Sequence, residues 1–246
     1  MNEPAIILST ISKSYGSKEA VVDLSLDIPR GELFAFLGPN GAGKTTTIKM
    51  IVGLLQPNSG YVRVCGHAIG LDGLAAKAQM AYVPDQPFLY DKLTGREFLY
   101  FVAEMYGLTT ERRDAMLDKL IAQLDMSEFL DQLTENYSHG MKQRVVLASA
   151  LLHHPAVLVI DEPMVGLDPR TIRVVKDLFV DLVGNGGTIF MSTHILEIAE
   201  AVADRIGIIH EGRLITVGSL EQLRAQAQRE HSLEEIFLRL TEVNDV

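Results

Sequence analysis

The sequence predicts an α/β fold: a core of parallel strands, an antiparallel β-rich subdomain and an inserted helical subdomain. Three observations carry this reading. An apolar run at 33–37, Leu-Phe-Ala-Phe-Leu, leads through a glycine-rich loop into a helical pattern at 45–53. A second continuous apolar run, 156–160, has the composition of a central parallel strand covered on both faces. Between them, residues 88–154 carry helix-start signals and helical spacing of apolar residues.

Taken in order, residues 5–11 read as a strand. Over 22–28 apolar and polar residues alternate strictly, as in a half-buried strand. Pro29-Arg30-Gly31 turns the chain into the run at 33–37. The helix after the loop ends near Gly53, and a turn at 56–60 leads to a short strand at 61–64. Thr94 and Glu97 have capping-box spacing, so a helix starts there and runs to about 106–107. Met116, Leu117, Leu120, Ile121 and Leu124 share one face of a second helix. A third starts near Ser138 and stops before Pro155. Asp168 suits a helix cap and Pro169 a first helical position. Strands at 188–191, 206–209 and 214–217 follow, the first two separated by a short helix and the last two joined by a tight turn at 211–213. Two helices close the chain, and Leu233, Ile236, Phe237 and Leu240 form an apolar stripe on the last, read as core packing.

The loop between strand and helix is Gly38-Pro-Asn-Gly-Ala-Gly-Lys-Thr-Thr46, which fits G-x-x-x-x-G-K-[ST] in full. Glycines let backbone N–H groups turn toward a β-phosphate, and the helix N-terminus adds partial positive charge. Lys44 is placed to reach the β- and γ-phosphates and the Thr45 hydroxyl to coordinate Mg²⁺. A nucleoside triphosphate is therefore the expected ligand.

Asp161-Glu162 follows the apolar strand, at the end where open α/β sheets bind ligands. Asp161 is placed to hold Mg²⁺, and Glu162 to polarise an attacking water. Ser192-Thr-His194 follows the next strand, bringing His194 toward the same crevice. Tyr137-Ser-His-Gly-Met-Lys-Gln-Arg144 opens a helix with a serine cap and a glycine, a second start suited to phosphate. One bound nucleotide has no need of two such starts, so the second is expected to serve another copy of the chain.

These residues resemble the ATP-binding subunit of an ATP-binding-cassette (ABC) transporter over essentially the whole chain. Residues 38–46 resemble Walker A, with Asn40, Gly41, Ala42, Gly43 and Thr46 as further nucleotide contacts; 156–163 resemble Walker B with Glu162 as catalytic glutamate. Ser138, His139, Gly140 and Met141 stand where the family signature stands, Asp168 lies in a segment similar to the D-loop, and His194 resembles the switch histidine. Tyr15 resembles the aromatic that stacks on adenine. The resemblance implies ATP with Mg²⁺, a head-to-tail dimer with a second copy or a related ATPase subunit, and a transmembrane permease as partner. It departs from the family at His139 and Met141, which replace glycine and glutamine, and at the Q-loop, where Asp85 or Gln86 would approach Mg²⁺. The signature variant resembles bacterial exporter subunits, and Phe88-Leu-Tyr90 is the candidate docking surface for the permease.

With 246 residues the chain is read as one domain: 1–87 and 155–220 as nucleotide-binding core, 88–154 as helical subdomain, 221–246 as C-terminal helices. A net charge of −10 argues against nucleic-acid binding by bulk electrostatics. A single cysteine, Cys65, excludes an internal disulfide, and no run reaches the ~18 apolar residues of a membrane span. The expected location is the cytoplasm, peripheral on the inner face of the membrane. Two other classes stay open: a soluble ABC ATPase acting on ribosomes or DNA, and a P-loop kinase.

Overall fold

The computed structural model describes residues 3–70, 73–226 and 237. In chain order the elements are β1 (Ile6–Tyr15), β2 (Lys18–Ile28), β3 (Leu33–Leu37), α1 (Lys44–Ile51), β4 (Ser59–Val64), β5 (His67–Ala68), α2 (Gly73–Ala78) and β6 (Met80–Val83). Then come α3 (Gly95–Met105), α4 (Thr110–Gln123) and α5 (His139–Leu151). The chain returns to alternation with β7 (Val157–Asp161), α6 (Pro169–Gly184), β8 (Thr188–Thr193), α7 (Leu196–Val202), β9 (Arg205–His210), β10 (Arg213–Gly218) and α8 (Leu220–Gln226).

Two sheets form. One is four-stranded, in the order β2-β1-β4-β5, with antiparallel neighbours. The other is six-stranded, in the order β10-β9-β3-β8-β7-β6, parallel throughout except where β10 pairs with β9. Period-two alternation decides which side chain enters which core. Leu33, Ala35 and Leu37 of β3, with Leu158 and Ile160 of β7, face the helices α3, α5 and α6. Phe34 and Phe36, with Val157, Val159 and Phe190, face α1 and the antiparallel sheet. Phe190 stacks on Phe34 at 5.8 Å between centroids and tilts against Phe36 at 5.4 Å. The central strands are thus buried on both faces, which is why they read as unbroken apolar runs.

The helical segment holds together through its own caps. Thr94 accepts from the N–H of Glu97 while Glu97 reaches back to Thr94, closing the capping box at α3. Tyr137 donates its hydroxyl to the Phe129 and Leu130 carbonyls and accepts from the N–H of Gly95, tying α3 to the turn before α5.

The structure extends the sequence reading at several places. β1 runs on to Tyr15 and β2 starts at Lys18, so the two form a tight hairpin closed by the pair Tyr15–Lys18. Three elements come from segments not read as regular structure: β5, α2 and β6. β6 has four residues before Pro84, too short for a periodic pattern, yet it completes the edge of the large sheet by pairing with β7. The apolar stripe at Leu233, Ile236 and Leu240 lies outside the described residues; Phe237 is helical and packs against the larger core.

Candidate functional site

Four parallel strands end on one edge of the large sheet, and each delivers part of one cleft. The loop after β3 carries residues 38–43; β6 leads to Asp85; β7 ends at Asp161, with Glu162 next; β8 ends just before His194. The cleft, about 310 Å³, is lined by Tyr15, Lys18, Ala20, Asn40, Gly41, Gly43, Lys44, Thr45, Thr46, Asp85, Asp161 and Glu162.

The loop owes its path to glycine. Gly43 sits at φ 109°, and a Cβ there would meet the Ala20 carbonyl at 2.4 Å. Gly38 is closed in likewise, with the Ile209 carbonyl 2.5 Å from where its Cβ would be. Helix α1 starts on Gly43 with no side-chain cap and no acidic residue in its first turn. Its first N–H groups are therefore left for a ligand, at the positive end of the helix dipole.

Lys44 is buried. Its ammonium donates to the Gly38 carbonyl at 2.7 Å and the Pro39 carbonyl at 3.2 Å, and stands 3.3 Å from Oε1 of Glu162. Glu162 holds φ at 48°, a left-handed conformation that costs a non-glycine residue of order 1 kcal/mol. Its N–H donates to the Ser192 carbonyl and hydroxyl, both at 3.2 Å. The strained turn aims the carboxylate back over the loop, where Oε2 accepts from the His194 N–H at 3.3 Å and lies 3.0 Å from its Nδ1.

Asp161 is almost wholly buried at the end of β7, opposite Ser192 in register. The Ser192 hydroxyl donates to Oδ1, and Oδ2 has no hydrogen-bond partner among the described residues. An unsatisfied buried carboxylate oxygen is costly unless something cationic meets it. With the Thr45 hydroxyl and Asp85 on the same cleft, the donor set is all oxygen, as a hard divalent cation requires. The negative field is felt by Tyr82, whose phenol is pushed up to about 12 by burial first and then by Asp161 and Asp85.

The structure thus brings together Tyr15, the loop residues, Asp85, Asp161 and Glu162, and joins His194 through Glu162. Asp85 lines the cleft; Gln86 is exposed, off the cleft wall, and its N–H bonds Oδ1 of Asp85 at 2.9 Å. Ser138, His139, Gly140, Met141 and Asp168 form a separate cluster where the starts of α5 and α6 meet. Ser138 caps α5 by accepting from the Met141 N–H at 3.3 Å, and the Met141 sulfur accepts in return from the Ser138 N–H at 3.4 Å. The sulfur takes the place that a glutamine side chain fills in an ordinary capping box. Asp168 caps α6 through the N–H groups of Arg170 and Thr171, and its Oδ2 accepts from the Thr171 hydroxyl. These bonds, the Thr171 ones foremost, hold its carboxyl below the ordinary carboxylate value. The His139 ring packs against Gly166, and Gly140 against Thr171.

Two residues at the site are not singled out by the sequence. Ser192, buried behind the cleft, stands in register opposite Asp161 and is the group that orients that carboxylate. Lys18 lines the cleft beside Tyr15 because of the tight hairpin; the turn residues Gly16-Ser17 between two strand segments are the available signal.

Comparison with known proteins agrees with this geometry. The family model described as "ABC transporter" matches residues 21–165. The Linearmycin resistance ATP-binding protein LnrL of Bacillus subtilis is 38% identical over 213 residues, covering 87% of this chain and 68% of the relative. The Daunorubicin resistance ATP-binding protein DrrA3 of Streptomyces coeruleorubidus is 36% identical over 226 residues, covering 92% and 72%. A solved structure titled "Structure of ATP binding subunit of ABC transporter" superposes with a TM-score of 0.90 at 34% identity, covering 96% of this chain and 99% of the other.

Proposed function

The chain belongs to the ABC transporter family, and from that premise we propose that it is the motor subunit of an exporter, dimerising head-to-tail on ATP beneath a separate transmembrane subunit. Its activity is ATP hydrolysis. The observation that carries the mechanistic reading is Glu162, held between Lys44 and His194 over the phosphate loop. In this role Glu162 takes a proton from the attacking water, and His194 positions that carboxylate and meets the γ-phosphate. Asn40, Gly41, Ala42, Gly43, Lys44, Thr45 and Thr46 cradle the phosphates, and Tyr15 carries the adenine. Thr45, Asp161 and Asp85 would hold Mg²⁺, which neutralises phosphate charge and orients the γ-group.

The exporter assignment is supported by relatives named for linearmycin and daunorubicin resistance. The transmembrane partner is supported by an exposed aromatic surface on the segment 88–154, read as the helical subdomain. Phe88 and Tyr90 are 71% and 48% exposed, pack edge to face at 5.6 Å, and line a groove of about 350 Å³ with Pro87, Leu89, Asp91, Lys92 and Lys142. Single exposed aromatics are ordinary; a contiguous cluster at a groove marks a binding surface. Among the described residues no helix is long and apolar enough to cross a membrane. In this reading the subunit reaches the inner membrane face through that partner. Two assays test it. Phosphate release from ATP without any added acceptor separates hydrolysis from a kinase reaction. ATP-driven efflux by membranes holding the subunit with its permease should be lost with Phe88→Glu/Tyr90→Glu, with ATP binding by the isolated subunit intact. Undiminished efflux by that variant overturns the docking surface.

A further inference from the structure

The cleft contains one cation that the family motifs leave without a role. Lys18 opens β2 and is the direct cross-strand partner of Tyr15, with only Gly16 and Ser17 between them. Directly paired residues on neighbouring strands project to the same face, and both side chains line the cleft. Ala20, next along β2 on the cleft wall, reaches the phosphate loop: its carbonyl lies 2.4 Å from the position a Cβ on Gly43 would take. The wall therefore runs Tyr15, Lys18, Ala20, Gly43. A nucleotide with its base on Tyr15 and its β-phosphate in the loop must pass its ribose and α-phosphate along Lys18 and Ala20.

Charge makes this position matter. The lining holds two cationic side chains, Lys18 and Lys44, against three carboxylates, Asp85, Asp161 and Glu162, for a net of −1. Lys44 already stands against Glu162 at 3.3 Å. Lys18 makes no side-chain hydrogen bond or ion pair among the described residues, so its ammonium has no competitor for an incoming anion. The loop N–H groups and Lys44 account for the β- and γ-phosphates and leave the α-phosphate without a cation.

We propose that Lys18 is a nucleotide-binding residue that meets the α-phosphate and sets the affinity for ATP and ADP alike. The inference rests on the reading of this cleft as the ATP site with Tyr15 as base platform. Its test is calorimetric titration of wild type, Lys18→Ala and Lys18→Arg with ATP and with ADP, and of adenosine by competition. Losing one charge-assisted contact at a solvent-facing wall should weaken ATP and ADP by about tenfold each. Lys18→Arg should stay within about threefold of wild type, and adenosine should bind all three proteins alike. Unchanged ATP affinity in Lys18→Ala overturns the proposal. So does a loss for ATP without a loss for ADP, which would put Lys18 at the γ-phosphate, or an equal loss for adenosine, which would make its role structural. Failure of the wild type to bind ATP or ADP would instead sink the reading of the cleft itself, so the two failures are distinguishable.

Discussion

Nδ1 of His194 lies 3.0 Å from Oε2 of Glu162, across the ends of two neighbouring parallel strands. The other oxygen, Oε1, faces Lys44 at 3.3 Å. In the proposed mechanism a phosphate entering the loop would compete with Glu162 for that ammonium, and His194 would then be the remaining side-chain partner of Glu162.

That arrangement predicts different outcomes for its two members. Glu162→Gln keeps the shape but takes no proton, so hydrolysis should fall by about 10²-fold or more while ATP still binds. His194→Ala should leave Glu162 with the backbone N–H of residue 194 as its remaining orienting contact there and lower turnover less than Glu162→Gln does. Single-turnover phosphate release measures both. Turnover within a few-fold of wild type in Glu162→Gln would move the base role to another group.

Lys44 binds its own loop as well as, in the proposed mechanism, the phosphates. Lys44→Ala should abolish hydrolysis and weaken ATP binding. It also strips the Gly38 and Pro39 carbonyls of their donor and leaves Glu162 uncompensated. Thermal unfolding should therefore start lower even without nucleotide. The stabilisation that ligand excess adds, about 2.7 kcal/mol at a hundredfold over Kd, should be absent in the variant. A wild-type ATP-induced shift in Tm would refute this.

Much of this site was legible because the groups that matter sit in local patterns. The loop 38–46, the Asp161-Glu162 pair and the caps at Thr94, Ser138 and Asp168 are each encoded within a few residues, and the structure places each cap as read. What stayed hidden depends on contacts far apart in sequence. β6 is a strand only because β7 stands beside it. Ser192 acquires its role from register with Asp161, and Lys18 from a hairpin whose flanking residues, Tyr15 and Lys18, are both exposed and break the apolar alternation. Which of Asp85 and Gln86 lies on the cleft wall depends on which side of the chain faces the cleft after Pro84, which no periodicity encodes.

A pH dependence of stability is expected from His153. Its ring stacks on Tyr106 at 3.9 Å, nearly parallel, and Nε2 donates to the Met80 carbonyl at 3.2 Å, while the buried Nδ1 has no partner among the described residues. Burial foremost, with a smaller opposing pull from the Met80 bond, holds its pKa below the ordinary 6.5. The unfolded chain then binds the proton more readily than the folded one. The contribution of neutral His153 is complete above about 6.5 and is lost as pH falls from there through the lower folded value. Tm should drop between pH 7 and pH 5. His153→Phe should flatten that slope, keep the stack, and cost about 1 kcal/mol for the Met80 carbonyl left without its donor. An unchanged slope in the variant assigns the pH dependence elsewhere.

The last prediction concerns the second helix start. Ser138 and its neighbours lie outside the cleft that holds Lys44, and the Ser138 hydroxyl is already the cap of α5. A helix N-terminus with exposed Ser138 and His139 can serve a γ-phosphate only if another copy presents one. ATP is then the joint of the dimer. Glu162→Gln, which binds ATP without splitting it, should be a monomer without nucleotide and a dimer with it, as read by size-exclusion chromatography with light scattering. Adding Ser138→Arg should abolish the dimer while monomer ATP affinity stays within about twofold, since no residue of the cleft is touched. The cap lost with Ser138 would cost about 1 kcal/mol of stability, so Ser138→Asp serves as the companion. It keeps a capping oxygen but sets a negative charge against the incoming phosphate, and should block the dimer without loosening α5. A dimer that survives both substitutions would show that the start of α5 is not the partner's phosphate site. Loss of ATP affinity in the monomer would place Ser138 in its own chain's site instead.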